Sequence, residues 1–328
     1  MRAAPLLAGA AALTALAALA GCSSGSGSGS GSGSAADEAP DTSAYTDGSR
    51  VPKVEKEWDI PELPLARYEF SADETERTTQ AQVRGAERCM AGFGFTGFIL
   101  DPTGPVSVDR QASFATLVAV AMATPFGELD LDEARRWGYG WDPKLPGGEG
   151  KKGPTVTEAE YQVLYNADRA TDLVVKGRKV PEGGCFGQAS ARLNEGVEDT
   201  TRMYTYTSRR TQALAKKARK DPDVSEALRT WATCVEDKGF KRYKGREEAF
   251  RDDAWHRGDD GNTRRTQRER DTAVADIECA REHNTVGVWW AGEARAQSAD
   301  IVSHRAQYEA VRRDQDVVRA NVRDVMGD

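Results

Sequence analysis

The stretch IVSHRAQYEAVRRDQDVVRANVRDVM, residues 301–326, decides the fold class. Ile301, His304, Tyr308, Val311, Gln315, Val318, Val322 and Val325 follow one another at steps of three and four, which lays them in one seam of an α-helix. Such a seam packs against the body of the same protein or against a partner helix, and His304 and Gln315 read as polar packing residues within it. Upstream, helix is expected from about Arg264 to Arg281, with a break near Asn284 to Gly287 and resumption to the end of the chain.

Working back along the chain, Asp221-Pro222 opens another helix, whose apolar face is Val224, Leu228, Trp231 and Val235, with Cys234 alongside and Gly239 closing it. Ser71-Ala72-Asp73-Glu74 has capping-box spacing, and the helix after it runs to Arg84 and, past Gly85, to Cys89 and Met90. Short helices are expected at Leu131 to Trp137, at Thr157 to about Ala170, and around Asp199 to Lys220. Asp101-Pro102-Thr103-Gly104-Pro105 and the span from Asp142-Pro143 to Gly153-Pro154 read as loops, and the runs Phe93 to Leu100 and Phe114 to Ala123 as core pieces. No period-two run is long enough to build a sheet-based fold. The expected fold is therefore mainly α, an irregular helical domain with a C-terminal helical hairpin.

At the other end, Leu19-Ala20-Gly21-Cys22 closes an apolar run with a lipoprotein-type cleavage site. Arg2 precedes the run, and Leu6 to Ala20 is too short and too Ala-rich for a membrane span. Residues 1–21 thus read as a signal peptide, Cys22 as the lipid-bearing N-terminus, and residues 22–50 as a tether. Gly25 to Ser34 alternates Gly and Ser, and Ala35 to Ser49 stays small, polar and acidic; a flexible chain of this length has an end-to-end distance of roughly 30 Å. Residues 51–328 are the expected helical extracytoplasmic domain, held at the outer face of the cell membrane by its acyl chains alone.

The chain has 328 residues and a formal net charge of −7, and cleavage before Cys22 makes it one unit more negative by removing Arg2. This balance argues against a nucleic-acid partner. With 30% charged residues, much of the chain is solvated helix surface.

Five cysteines are present. Apart from Cys22 they are Cys89, Cys185, Cys234 and Cys279, and in a chain sent outside the cytoplasm four cysteines suggest two disulfides. Three connectivities exist. Cys89 with Cys185 and Cys234 with Cys279 is the expected one, because the second pair joins two helices consecutive in sequence. A metal site is disfavoured, since there is no CxxC and no His beside any Cys. The helix ends that carry Cys89 and Cys234 look alike: Ala86-Glu87-Arg88-Cys89-Met90 leads through Gly92 to Phe93, and Trp231-Ala232-Thr233-Cys234-Val235 leads through Gly239 to Phe240. Either a weak internal duplication or two separately stapled helices accounts for this.

These features together with Val180-Pro181-Glu182-Gly183-Gly184-Cys185, Ala273-Val274-Ala275-Asp276-Ile277-Glu278-Cys279, and Phe126-Gly127 followed by Ala134 and Gly138-Tyr139-Gly140 make the chain resemble the uncharacterised actinobacterial secreted lipoproteins, from about Glu69 to the C-terminus. The resemblance implies helices, disulfides and an extracytoplasmic address; it implies no reaction.

Familiar catalytic signatures lack their context. Gly92-Phe93-Gly94-Phe95-Thr96-Gly97 matches GxGxxG, but it follows a helix where a strand is needed, and Asp101-Pro102 blocks the helix that should follow. Gly147-Gly148-Glu149-Gly150-Lys151-Lys152 has neither the spacing nor the Ser/Thr of a phosphate loop. His256, His283 and His304 form no HExxH, no GxSxG occurs, and Arg257-Gly258-Asp259 reads as a chance RGD. No cofactor is implied.

Two features keep binding open. Trp137, Tyr139 and Trp141 alternate with glycines ahead of Asp142, so that they could form a platform for a sugar ring with Asp142 bonding a hydroxyl; the favoured reading of the same rings is that they plug the loop into the body. Arg209, Arg210, Lys216, Lys217, Arg219 and Lys220 cluster on one expected helix, either as a solvated face or as a face for anionic headgroups or wall polymers. The favoured reading is a non-catalytic envelope lipoprotein that binds or organises an envelope protein or a wall polymer. The alternative is a hydrolase of wall glycan or peptide using a carboxylate pair, which requires a cleft holding two carboxyls about 5 to 9 Å apart near the loop 137–142.

Overall fold

The computed structural model describes residues 44–100, 127, 129–142, 156–166, 172–258 and 261–327. Among these the chain is mainly helical, and the sheet is a two-residue ladder of β1 (Val174–Val175) antiparallel to β2 (Arg178–Lys179). The segments 101–105 and 143–154, and the run Phe114 to Ala123, lie outside the described residues.

Helix α1 (Ala72–Gly92) begins where the capping box places it. The Ser71 hydroxyl accepts from the Glu74 amide at 3.2 Å, and the Glu74 carboxylate accepts from the Ser71 amide at 2.8 Å. Gly85 interrupts neither the helix nor its packing: a Cβ there would stand 3.0 Å from the Cβ of Ala189 on α4 (Gly184–Leu193). That close approach brings Cys89 and Cys185 to a Cα separation of 5.5 Å, and they are disulfide-bonded. Between them in the chain come α2 (Leu131–Trp137), capped by the Asp130 carboxylate, and α3 (Glu158–Tyr165), opened by a Thr157–Glu160 capping box. Asn166, left-handed at φ 39°, ends α3 short of the expected Ala170, and residues 167–170 are outside the described set. Helix α4 has no counterpart among the expected helices. Its entry through Gly183 and Gly184, both with positive φ, reads as a turn, yet a Cβ on Gly184 would meet the Leu164 carbonyl at 2.3 Å, so the second glycine is what lets α4 lie on α3.

Helices α5 (Thr200–Ala218) and α6 (Pro222–Asp237) match their expected spans, capped by Asp199 and Asp221 with Pro222 in the first turn. After the short α7 (Arg246–Phe250) the C-terminal third follows as α8 (Gln267–Glu282), α9 (Thr285–Ser303) and α10 (Arg305–Met326). The first break falls at His283 and Asn284, the latter left-handed at φ 48°. A second break, at His304, divides the helix that the sequence presents as continuous. The seam survives the break because its positions remain turned to the body: Tyr308, Val311, Gln315, Val318 and Val322 are buried. Val318 and Val322 pack with Ala81, Leu193 and Met203, and Tyr308 packs with Leu65, Tyr68 and Leu214.

Each disulfide sits in its own hydrophobic cluster. Cys185 belongs with Met90, Phe93, Val163, Leu164 and Ala189, and Cys279 with Trp231, Val235, Phe250, Trp255 and Ile277. Burial of one large apolar side chain, such as Ile277 in the second cluster or Leu164 in the first, contributes on the order of 2–3 kcal/mol.

The N-terminal segment of the body is a strap along α9. Asn284 holds it by accepting from the Val54 amide and donating to the Pro52 carbonyl; further along, Trp290 Nε1 donates to the Pro61 carbonyl and the Leu65 amide donates to Gln297. Tyr45 meets Trp290 edge-on with centroids 6.1 Å apart, and a Cβ on Gly48 would stand 2.3 Å from the Ala291 carbonyl. Among the described residues packing therefore reaches back to Tyr45, inside the span 22–50 that composition assigns to the tether. Small polar residues at 44–49 hide the boundary, because their contacts are made by one ring and by bare backbone.

Candidate functional site

The loop 137–142 is built around close approach. Gly138 (φ 62°) lies against Glu269, where a Cβ would come within 2.8 Å of Oε1, and a Cβ on Gly140 would stand 2.3 Å from Asn262 Oδ1. Both contacts are hydrogen-bonding: Glu269 Oε1 accepts from the Tyr139 amide at 3.0 Å, and Asn262 Oδ1 accepts from the Trp141 amide at 3.1 Å. The Trp141 carbonyl accepts from Asn262 Nδ2 at 3.0 Å and from Arg265 Nη2 at 2.7 Å.

Tyr139 is turned into the core. Its ring is only 8% exposed and packs against Phe250 and Trp255, while its hydroxyl donates to Asp276 Oδ2 at 3.1 Å. Of the three rings, the middle one thus plugs the loop into the body. Trp137 and Trp141 stay half-buried, with the Arg265 guanidinium 4.8 Å from the Trp137 ring centroid. Asp142, also half-buried, closes the described part of the loop.

Beneath the loop stand two carboxylates of α8, Glu269 at 0% exposure and Asp276 at 2%. Asp276 accepts from Arg246 Nε at 2.6 Å, from Trp231 Nε1 at 3.1 Å and from Tyr139. Burial pushes the Asp276 carboxyl up, against the opposing pull of Arg246, Tyr139 and Trp231; burial likewise pushes the Tyr139 phenol well above its usual range, helped by the Asp276 charge. Glu269 accepts from the Tyr139 amide and, through Oε2, from the Arg265 amide at 3.1 Å. Both acids are engaged by protein donors and withdrawn from solvent, an arrangement that holds a loop and offers no acid to a substrate.

A second constellation lies at the other disulfide. Cys234 and Cys279 are bonded, with Cα atoms 5.8 Å apart. Cys234 is half-buried in a polar groove of about 680 Å³ that also touches Glu226, Arg229, Asp237, Lys238 and His283. Ligand atoms of Cys234, Glu282 and His283 lie within 4.8 Å of one another. Metal affinity there requires a thiolate, and the Cys234 sulfur is already bonded to Cys279, so Glu282 and His283 are left as a pair. Sequence reading misses this grouping because 49 positions separate Cys234 from His283. The legible signal is the spacing of Cys279 and His283, four apart at the end of α8.

The GxGxxG match at 92–97 is the C-terminal cap of α1, with Gly94 left-handed at φ 81°. Of the RGD tripeptide, Arg257 donates to the Gly261 carbonyl and covers the Phe250 ring, and Asp259 lies outside the described residues. On α5 the basic cluster divides. Arg210 pairs with Asp300, and Arg219 pairs with Glu247 and lies over the Trp289 ring, while Arg209, Lys216, Lys217 and Lys220 are exposed.

No family model, no curated protein and no solved structure matches the chain.

Proposed function

We propose that this chain is a lipoprotein of the cell envelope, anchored through Cys22 at the extracytoplasmic face, whose disulfide-stapled helical body serves as a non-catalytic binding or organising element. The observation that carries the reading is the pairing of the cysteines. Of five in the chain, four form two disulfides within the body, which suits an oxidising compartment, and the fifth is Cys22 at the end of the apolar leader. In the same direction, no helix among the described residues is long and apolar enough to cross a membrane, so an acyl anchor is the attachment the sequence offers. The likeness to secreted actinobacterial lipoproteins rests on the residues quoted above and adds the same address.

The hydrolase alternative loses its support at the loop 137–142, where the two neighbouring carboxylates are buried and hydrogen-bonded to the protein. A rigid surface for an envelope protein or wall polymer remains, with the half-buried Trp137 and Trp141 as its aromatic component.

Mass spectrometry of the membrane-extracted protein, mapped without reduction, tests the proposal: the expected result is an acylated N-terminal Cys22 with Cys89–Cys185 and Cys234–Cys279 bonds. Cys22→Ala should release the chain into the medium. Its retention in the membrane fraction after a wash at about 500 mM salt would mean that another element anchors it and would overturn the reading.

A further inference from the structure

The exposed side of α5 stands apart in an acidic chain. Thr200–Ala218 contains no Asp or Glu, although acids outnumber bases 52 to 45 over the whole sequence. At 100° per residue, Arg209 and Lys216 fall within about 20° of one another and Lys217 lies on the flank of the same face, while Lys220 follows in the exposed turn just past the end of α5. Gln212 and Ala213, between them, are exposed and uncharged.

Nearby acids are already engaged. Asp199 caps α5, Asp300 holds Arg210, and Glu247 holds Arg219. Asp221 caps α6 and accepts from Arg295 at 3.0 Å. Favourable interaction with the helix dipole accounts for basic residues in the last turn; it does not account for Arg209, more than two turns earlier.

The position of the stripe relative to the strap identifies its partner. Lys220 immediately precedes Asp221, which is bonded to Arg295, and Arg295 is the residue against which Gly48 lies, a Cβ there coming within 2.7 Å of its backbone nitrogen. The described strap thus passes Arg295 at Gly48, on the Lys220 side of the stripe, and Cys22 lies 23 positions ahead of Tyr45. Covalent geometry limits the tether from Cys22 to Tyr45 to roughly 80 Å, so the stripe is confined close to the bilayer at high effective concentration.

We propose that the basic face formed by Arg209, Lys216 and Lys217 of α5 and by Lys220 in the turn after it docks on anionic phospholipid headgroups of the membrane that carries the anchor, orienting the body on the bilayer. The proposal rests on the lipid-anchor reading above. Docking turns the net-negative remainder of the molecule outward, and it weakens with salt because the attraction reaches only about a Debye length, roughly 10 Å at 0.1 M.

The test uses the full chain carrying Cys22→Ala, so that no acyl group contributes, in co-sedimentation with vesicles of phosphatidylcholine alone or mixed with phosphatidylglycerol. The expected result is binding to the anionic vesicles alone at about 50 mM salt, lost at about 500 mM. Arg209→Gln, Lys216→Gln, Lys217→Gln and Lys220→Gln together should lower the partition coefficient on the order of a thousandfold. The matched set Arg305→Gln, Arg312→Gln, Arg313→Gln and Arg323→Gln, exposed on α10, should leave it within about twofold. Circular dichroism and intact disulfides check the fold of both sets. Equal binding of the α5 variant, no preference for phosphatidylglycerol, or capture by a soluble glycerol-phosphate polymer in place of vesicles would overturn the docking proposal. Failure of Cys22→Ala to leave the membrane fraction of cells even after a wash at about 500 mM salt, which removes the docked chain, would instead overturn the anchor reading.

Discussion

Gly94 and Gly239 are structural equivalents, each five residues past a disulfide cysteine and each left-handed, at φ 81° and 87°. The chain closes α1 and α6 in the same way. Phe95 donates its amide back to the Met90 carbonyl at 3.1 Å, and Phe240 donates to the Val235 carbonyl at 3.3 Å. The repeat seen in sequence thus aligns Cys89 through Phe95 with Cys234 through Phe240, two residues later on the first copy than the Gly92–Phe93 pair suggests. It ends there, because Cys185 opens α4 while Cys279 lies near the end of α8.

Gly239→Ala isolates the backbone contribution, since nothing lies within 4 Å of the added Cβ. The expected loss is about 1–2 kcal/mol in urea unfolding, the cost of a left-handed residue bearing a Cβ. Gly239→Asn should recover part of it. At Gly94 the Lys176 ammonium lies 3.1 Å from the Cβ position, so Gly94→Ala should cost slightly more. No loss at Gly239 would mean that the cap relaxes to a right-handed turn.

The two staples close loops of 96 and 45 residues. In the chain-entropy description their removal costs on the order of 4–5 kcal/mol each, the longer loop slightly more. Cys89→Ser/Cys185→Ser and Cys234→Ser/Cys279→Ser should both melt well below the parent without reductant. Because each bond lies in a separate cluster, the two losses should be nearly additive. Melting temperatures equal to the parent would show that the bonds constrain nothing in the unfolded chain.

Helix type and position are legible wherever caps and apolar spacing coincide, as at Ser71 for α1, Asp221-Pro222 for α6, and the seam of α10. Three things are not. Gly183 and Gly184 disguise α4 as a turn, since the requirement they meet is contact with Leu164, which is far away in sequence. His304 breaks a helix without disturbing its period. Tyr139 looks like one of three equal rings until Asp276, 137 positions away, captures its hydroxyl. For α4 and for Tyr139 the deciding partner is remote in sequence, and local pattern carries no trace of it.

Glu293 and Asp300, both on α9, titrate with opposite consequences. Burial raises the Glu293 carboxyl, opposed by its acceptance from Trp289 Nε1. A folded value above the unfolded one means that the native state holds the proton more tightly, so this contribution is complete below the unfolded value and is lost as pH rises through the folded one. Glu293→Gln, which keeps the Trp289 bond, should be more stable than the parent at pH 7 and equal to it below about pH 4. Burial also acts to raise Asp300, but Arg210, Tyr308 and His304 outweigh it and hold the carboxyl below its usual range. That contribution is present above the unfolded value and lost as pH falls through the folded one, so Asp300→Asn should flatten the acid limb below about pH 4. Urea midpoints across pH 2.5 to about 7 separate the two; parallel curves for Glu293→Gln and the parent would contradict the assignment.

Asp276 and Arg246, 2% and 5% exposed, are the ion pair on which the loop 137–142 is hung. Removing the acid takes the carboxylate from the Arg246 guanidinium in a nearly dry site and from the Tyr139 hydroxyl, while Trp231 Nε1 keeps its bond to the backbone carbonyl of residue 276. Asp276→Ala should therefore cost about 3–5 kcal/mol, more than an exposed pair such as Arg135 with Asp132, whose loss should cost under about 1 kcal/mol. The apolar replacement Asp276→Leu with Arg246→Met should regain much of the loss, because a buried pair stabilises little beyond what its desolvation costs. A double-mutant cycle on urea midpoints measures the coupling, and the Trp231 environment gives a second readout in fluorescence. If Asp276→Ala left both unchanged, the Tyr139 ring would be held by packing on Phe250 and Trp255, and the loop by Glu269, Asn262 and Arg265, with no contribution from the ion pair.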